Sequence, residues 1–194
     1  MLADLKLEIE DSIRVKQSVL QDEHLLHQLQ ALIEATIATL KHGGCLFLAG
    51  NGGSFADAQH LAAEFTSRFK FDRAPLCAQV LGANASAISA IGNDYGFDQV
   101  FSRELKANGR AGDVFVGITT SGNSVNILRA VEAAREIGIE VFIFTGGNGG
   151  KVAEMAECLV VPSGVTARIQ ESHILLGHLM CGAVESAMFK GTHT

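Results

Sequence analysis

A doubly wound α/β fold on a five-stranded parallel sheet is the expectation for this chain of 194 residues, and three observations carry it. Five short apolar runs, at 45–49, 76–80, 114–119, 141–144 and 159–161, are bounded by glycine or polar turns and read as buried strands. Helix-like stretches alternate with them, the pattern of a parallel sheet covered on both faces. Hydrophobic residues make up 47% of the chain, enough to bury a full core, and no shift in composition marks a second domain. The expectation is one domain over 1–194, with 1–41 as a helical extension used in oligomerisation.

In chain order, Leu5, Ile9 and Ile13, then Leu25, Leu29, Leu32, Ile33, Ile37 and Leu40, recur at helical spacing and predict two helices broken near Gln21-Asp22. The strand at 45–49 leads into Gly50-Asn51-Gly52-Gly53-Ser54, a tight loop, and Ser54 is the predicted N-cap of the next helix. Backbone N–H groups of a glycine loop at a helix N-terminus suit a phosphate or carboxylate. The strand at 114–119 leads in the same way into Thr119-Thr120-Ser121-Gly122-Asn123-Ser124 and a helix through Ile127, Leu128 and Val131. Hydroxyls and helix N-terminal amides bind phosphate without a lysine. Ligands of such sheets bind beyond the carboxyl ends of the strands, so the loops beginning at Gly50, Leu81, Thr119 and Thr145 are the candidate walls of a site. The last segment, 168–190, has a helical pattern with apolar residues on more than one face and calls for burial on several sides. With the N-terminal pair it predicts a homo-oligomer with a helical interface.

Composition narrows the function. A formal net charge of −6, with scattered basic residues, argues against a nucleic-acid surface. No apolar run approaches the roughly 20 residues that cross a bilayer, and the first residues lack the apolar core of a signal peptide, so a cytoplasmic protein is expected. Cys45, Cys77, Cys158 and Cys181 have no paired spacing and read as buried free thiols.

Phe55 occupies the third glycine position of a dinucleotide fingerprint begun by Gly50 and Gly52, so that pattern fails, and no triphosphate loop motif occurs. His60 and Glu64 lie four apart and project from one helix face. Judged alone, the pair is more often a surface hydrogen bond than a site. Asp57 is near the same face and could orient His60, or serve as an ordinary acid of a first helical turn. Gln170, Glu171, His173 and His178 interrupt the last helix, where buried polar groups must find partners. Eight residues separate Gln170 from His178, about 12 Å along a helix, which strains any joint hold on one ion. Either the helix starts irregularly or the two come from different subunits.

Taken together, Gly50-Asn51-Gly52-Gly53-Ser54, Asp57-Ala58-Gln59-His60, Gly92-Asn93-Asp94, Thr120-Ser121-Gly122-Asn123-Ser124 and Arg168-Ile169-Gln170-Glu171 resemble the sugar isomerase (SIS) domain of bacterial phosphoheptose isomerases. The similarity runs from about 25 to 185. It implies a flavodoxin-like parallel sheet and conversion of sedoheptulose 7-phosphate to glycero-manno-heptose 7-phosphate, the first step toward the heptose of lipopolysaccharide. It implies a zinc ion at a subunit interface of a tetramer, with His60, Glu64, Gln170 and His178 as ligands. The implied substrate contacts are Asn51, Gly52, Gly53, Glu64, Asn93, Asp94, Thr119, Thr120, Ser121, Ser124 and Gln170. Ala167 stands where many members carry an acid just before Arg-Ile-Gln.

Ketose–aldose isomerisation needs a base beside a carbonyl, an acid to return the proton and an electrophile for the enediolate. Glu64 suits the base, His178 the proton's return and zinc the electrophile. Two other readings stay open: a non-catalytic SIS tetramer that binds a replication-initiation protein or senses a sugar phosphate, and an enzyme for another phosphosugar.

Overall fold

The computed structural model describes residues 1–189; Lys190, the predicted end of the last helix, lies outside the described residues. The order is α1 (Leu2–Gln21), α2 (Glu23–Lys41), β1 (Leu46–Gly50), α3 (Gly53–Thr66), β2 (Ala78–Val80), α4 (Ala85–Tyr95), α5 (Val100–Asn108), β3 (Val114–Ile118), α6 (Val125–Ile137), β4 (Glu140–Gly146), β5 (Glu157–Val161) and α7 (Thr166–Phe189), with short 3-10 turns at Phe97–Gln99 and Gly150–Glu154. The strands form one parallel sheet ordered β2-β1-β3-β4-β5. The chain leaves β1 toward β2 on one side and goes on from β3 toward β5 on the other. The strand order therefore reverses between β1 and β3, which is where a doubly wound sheet opens a ligand crevice.

Alternation along each strand divides the core in two. Leu46 and Leu48 of β1, Val114, Val116 and Ile118 of β3 and Phe142 and Phe144 of β4 face α2, α3 and α7, while Phe47, Phe115 and Ile143 face α5 and α6. The break between the first two helices falls where the sequence puts it. Asp22 caps α2, its carboxylate accepting from the Leu25 N–H at 2.9 Å. α1 is fastened to α7 by charge: Ser12 and Lys16 both donate to Glu171 Oε2 (2.6 and 3.3 Å), and Arg168 meets the Glu8 backbone carbonyl and Glu171 Oε1. The Ser12 hydrogen bond, aided by Lys16 and Arg168 against the effect of burial, holds the Glu171 carboxyl below its ordinary range.

Three expectations need correction. Ser54 does not cap α3: the N-cap is Gly52, at φ 55°, and Ser54 is a buried residue within the first turn. A left-handed φ at that position favours glycine, and it starts the helix two residues earlier than the hydroxyl suggested. Thr145 does not open a loop, because β4 runs on to Gly146 and buries it. Cys45 and Cys181 are buried and Cys158 partly so, but Cys77, leading into the edge strand β2, is exposed; all four are free thiols. Among the described residues no helix is long and apolar enough to cross a membrane.

His173 is the buried polar group of α7 with the clearest thermodynamic signature. Its Nε2–H donates to the Thr145 carbonyl at 3.0 Å, and burial lowers its pKa from 6.5 to about 4, against that hydrogen bond. A histidine held neutral in the fold takes up a proton first in the unfolded chain, so stability is lost as pH falls from about 6.5 to about 4. Urea unfolding should record a loss on the order of 3 kcal/mol across that window, and His173→Gln should flatten the slope. Equal slopes in the two proteins would show that His173 is not the group responsible.

Candidate active site

α3 begins at the carboxyl end of β1 and α7 follows β5, and the two helices lie side by side and parallel on one face of the sheet. Their pairing can be read along their length: Gln170 Nε2 would stand 2.9 Å from a Cβ on Gly53, and a Cβ on Gly177 would stand 2.6 Å from both methyl groups of Leu61. A glycine at 177 is thus what lets α7 approach α3 closely. The next residue, His178, reaches across to His60.

There the two imidazoles meet with Nε2 to Nε2 at 2.8 Å and ring centroids 5.1 Å apart, edge to face. Glu64 Oε1 lies 3.4 Å from His60 Nε2. Ligand atoms of His60, Glu64 and His178 all fall within 4.8 Å of one another, the one such group of His, Cys, Asp or Glu among the described residues. Phe69 stacks on the ring of His178, with centroids 5.5 Å apart and planes at 26°. Burial raises the Asp57 carboxyl above its ordinary range, and the nearby His60 and His178 offset only part of that rise. No hydrogen bond joins Asp57 to His60 among the described residues, so the orienting role open to Asp57 is at most electrostatic.

The loops form a second group. Asn51 and Asn126 exchange amide hydrogen bonds, at 3.0 and 2.9 Å, and so brace the β1–α3 loop against α6. Both polar ends of the Asn51 side chain are thereby engaged. Thr119 Oγ1 and Ser124 Oγ lie 3.0 Å apart, and Ser121 Oγ accepts from the Asn123 N–H. Gly50, Asn51, Gly52, Phe55, Gly82, Ile88, Phe97 and Phe101 line a cavity of about 230 Å³ beside this brace. Asn93 and Asp94 are elsewhere, on the exposed side of α4, joined by an Asn93 Nδ2–H to Asp94 Oδ1 bond of 2.8 Å. The structure therefore brings His60, Glu64 and His178 together within one chain. It sets Gln170 by the glycine loop instead, eight residues along α7 from His178, about 12 Å by helical rise.

Sequence reasoning missed Asn126, Phe69, Arg73 and Glu185. Asn126 pairs with a residue 75 positions away. An amide in a helix's first turn, near a loop that carries another amide, is the only local hint, and spacing cannot pair the two.

A doubly wound sheet with glycine- and hydroxyl-rich loops at its switch point, flanked by a His/Glu/His cluster, defines a sugar isomerase domain, and the family model described as SIS domain matches residues 10–146. The chain is 50% identical over 187 residues to the phosphoheptose isomerase of Aneurinibacillus thermoaerophilus, covering 96% of this chain and 94% of that one. It belongs to the SIS-domain phosphoheptose isomerases and is an enzyme of that family. The relative from Sulfurimonas denitrificans is 46% identical over 186 residues, 95% of each chain. Among solved structures, the phosphoheptose isomerase of Neisseria gonorrhoeae superposes with TM-score 0.89 at 46% identity, covering 96% of this chain and 100% of that one. That of Francisella tularensis gives 0.91 at 35% identity, with 95% and 98% covered. The non-catalytic reading left open by the sequence gives way to these likenesses.

Proposed function

We propose that this enzyme interconverts D-sedoheptulose 7-phosphate and D-glycero-D-manno-heptose 7-phosphate by proton transfer at the His60/Glu64/His178 cluster, supplying heptose for a surface polymer such as lipopolysaccharide. The single observation that carries the reading is the convergence of two imidazole Nε2 atoms and a carboxylate oxygen within 4.8 Å in a chain of this family.

The donor set fits zinc. Two imidazoles and a carboxylate with a further position open is the ligand pattern of catalytic zinc, and Zn–N bonds of about 2.0 Å put ligand atoms about 3.3 Å apart in a tetrahedron. Two of the three separations, 2.8 and 3.4 Å, bracket that value, and the third lies within 4.8 Å. Bound there, zinc supplies Lewis-acid polarisation of the carbonyl that is being isomerised. Glu64 takes a proton from C1 of the ketose. It has a second oxygen for this, since Oε2 makes no hydrogen bond among the described residues while Oε1 faces His60. His178 returns a proton to C2, while the hydroxyl proton of O1 passes to O2, so that C1 becomes the aldehyde and C2 the new carbinol carbon. Phe69 stacks on the His178 ring and restrains its plane.

The substrate has its carbonyl at C2 and its phosphate at C7, at opposite ends. His60 is seven residues along α3 from the glycine loop, about 10 Å by helical rise, which supports a loop that anchors the phosphate and a cluster that reacts. We assign Gly52, Gly53, Thr119, Thr120, Ser121 and Ser124 to the phosphate and sugar hydroxyls, with Asn51 holding the loop's shape. Gln170 serves the loop end in its own chain, and a role as fourth zinc ligand needs Gln170 from a neighbouring subunit. Asn93 and Asp94, exposed on α4, contribute in the same way. A tetramer suits this: α1 exposes Leu2, Leu5, Ile9 and Ile13, α4 has no buried residue, and four free thiols suit the cytoplasm.

Incubation with sedoheptulose 7-phosphate and zinc, followed by NMR, should yield the aldose heptose 7-phosphate. Folded, zinc-supplied protein that formed no aldose would refute the assignment.

A further inference from the structure

Beneath the cluster lies an ion pair that no part of the reaction just proposed uses. Arg73 Nε donates to Glu185 Oε1 at 3.1 Å, with side chains 1% and 0% exposed. Arg73 also reaches four backbone carbonyls: Glu64 (2.7 Å, from Nη2) and Phe65, Ser67 and Ala74 (2.7, 3.0 and 3.0 Å, from Nη1). Those of Glu64 and Phe65 belong to the last turn of α3, whose carbonyls have no partner within the helix. Glu185, on α7, accepts in turn from the N–H groups of Phe69 (2.8 Å) and Lys70 (2.7 Å). These bonds outweigh burial and keep its carboxyl below the ordinary range.

One buried pair thus holds three parts of the site. Arg73 grips the turn of α3 that carries Glu64 by the backbone of Glu64 itself. Glu185 fixes the chain at Phe69, whose ring backs His178. It does so from the helix that carries His178, seven residues further on. Stability alone does not account for the arrangement, because an apolar pair of similar volume serves a buried position as well as or better than an ion pair. What an apolar pair lacks is direction: five acceptors converge on one planar guanidinium, a geometry that lysine cannot match.

We infer that Arg73 and Glu185, acting through Phe69, are positioning residues that set Glu64 and His178 relative to each other. This rests on the proposed roles of those two residues. Neither Arg73 nor Glu185 touches the substrate.

The test uses the full-length protein with two variants. Arg73→Met combined with Glu185→Met replaces the pair by apolar side chains without leaving a buried charge alone, and Phe69→Leu removes the stacked ring while keeping the clamp. Circular dichroism and a thermal melt establish that each is folded. Zinc affinity is then measured by competition with a chelating dye, and kcat and KM with sedoheptulose 7-phosphate. The double variant should lose about 10- to 100-fold in zinc affinity and in kcat, the range for residues that orient metal ligands, with KM changed less than about threefold. Phe69→Leu should show a smaller loss in the same two quantities. A merely structural pair would shift the melting temperature and leave both unchanged, and that result would overturn the inference. Should the wild type bind zinc and turn over nothing, the functional reading falls while zinc affinity still judges the clamp. A wild type that neither bound zinc nor reacted would overturn both.

Discussion

Glu64→Gln should leave a folded, zinc-binding protein whose kcat for sedoheptulose 7-phosphate is lower by roughly 10²- to 10⁴-fold, the span of general-base catalysis. The substitution separates the two roles proposed for the carboxylate. The amide retains an oxygen that can face a metal, but it cannot accept a carbon-bound proton. Its cost to the fold should be small, because the side chain is 22% exposed and, among the described residues, its one ion-pair contact is His60 at 3.4 Å. A fall in kcat with little change in KM is the expected pattern, since the lost interaction acts in the transition state alone. Undiminished turnover in Glu64→Gln would place the base elsewhere.

His60→Ala should take bound zinc from about one per chain to nearly none and abolish turnover with it. Removing one of three convergent donors leaves two, too few for a closed hold on the ion. The ring is 48% exposed, so its loss opens no cavity in the core and the variant should melt close to the wild type. Elemental analysis after gel filtration makes the measurement, and a chelator should mimic the substitution in the wild type, with zinc restoring activity. Zinc retained at full stoichiometry in His60→Ala would mean that the ion sits on other residues. The 2.8 Å approach of His60 Nε2 to His178 Nε2 would then be an N–H···N hydrogen bond and nothing more.

The sheet was legible because buried strands announce themselves as apolar runs: all five runs became strands, in the predicted class of fold. Their ends were less so. β4 extends to Gly146 because its ladder with β5 continues through Thr145 and Gly146, a pairing that the apolar run at 141–144 does not reveal. The start of α3 was misread because a hydroxyl is a visible signal for a cap, whereas a glycine at φ 55° signals only by being glycine.

In the site, the pairing of His60 with Glu64 could be read from helical spacing. The meeting of His60 with His178, 118 residues apart, could not; the resemblance to a family supplied it, and Gly177 is its physical cause. Gln170 stands apart from the other three carried-over ligands within one chain. The 12 Å estimate from helical rise already set it apart from His178, and the structure seats it against Gly53. Arg73 and Glu185 were invisible for a different reason. A turn reading Ser-Arg-Phe-Lys-Phe-Asp-Arg looks like a solvated basic loop, and only the tertiary fold turns its last arginine inward onto a glutamate of α7.

Isomerisation of sedoheptulose 7-phosphate in D2O, with the product followed by NMR, addresses the central claim most directly. Proton transfer by Glu64 and His178 through an enediolate exposes the migrating proton to solvent. The aldose should therefore carry carbon-bound deuterium at C2, and Glu64→Gln should abolish its appearance. An aldose formed with no deuterium at C2 would mean that the hydrogen taken from C1 is the one delivered to C2 without exchange, and would contradict the separate base and acid roles assigned to Glu64 and His178.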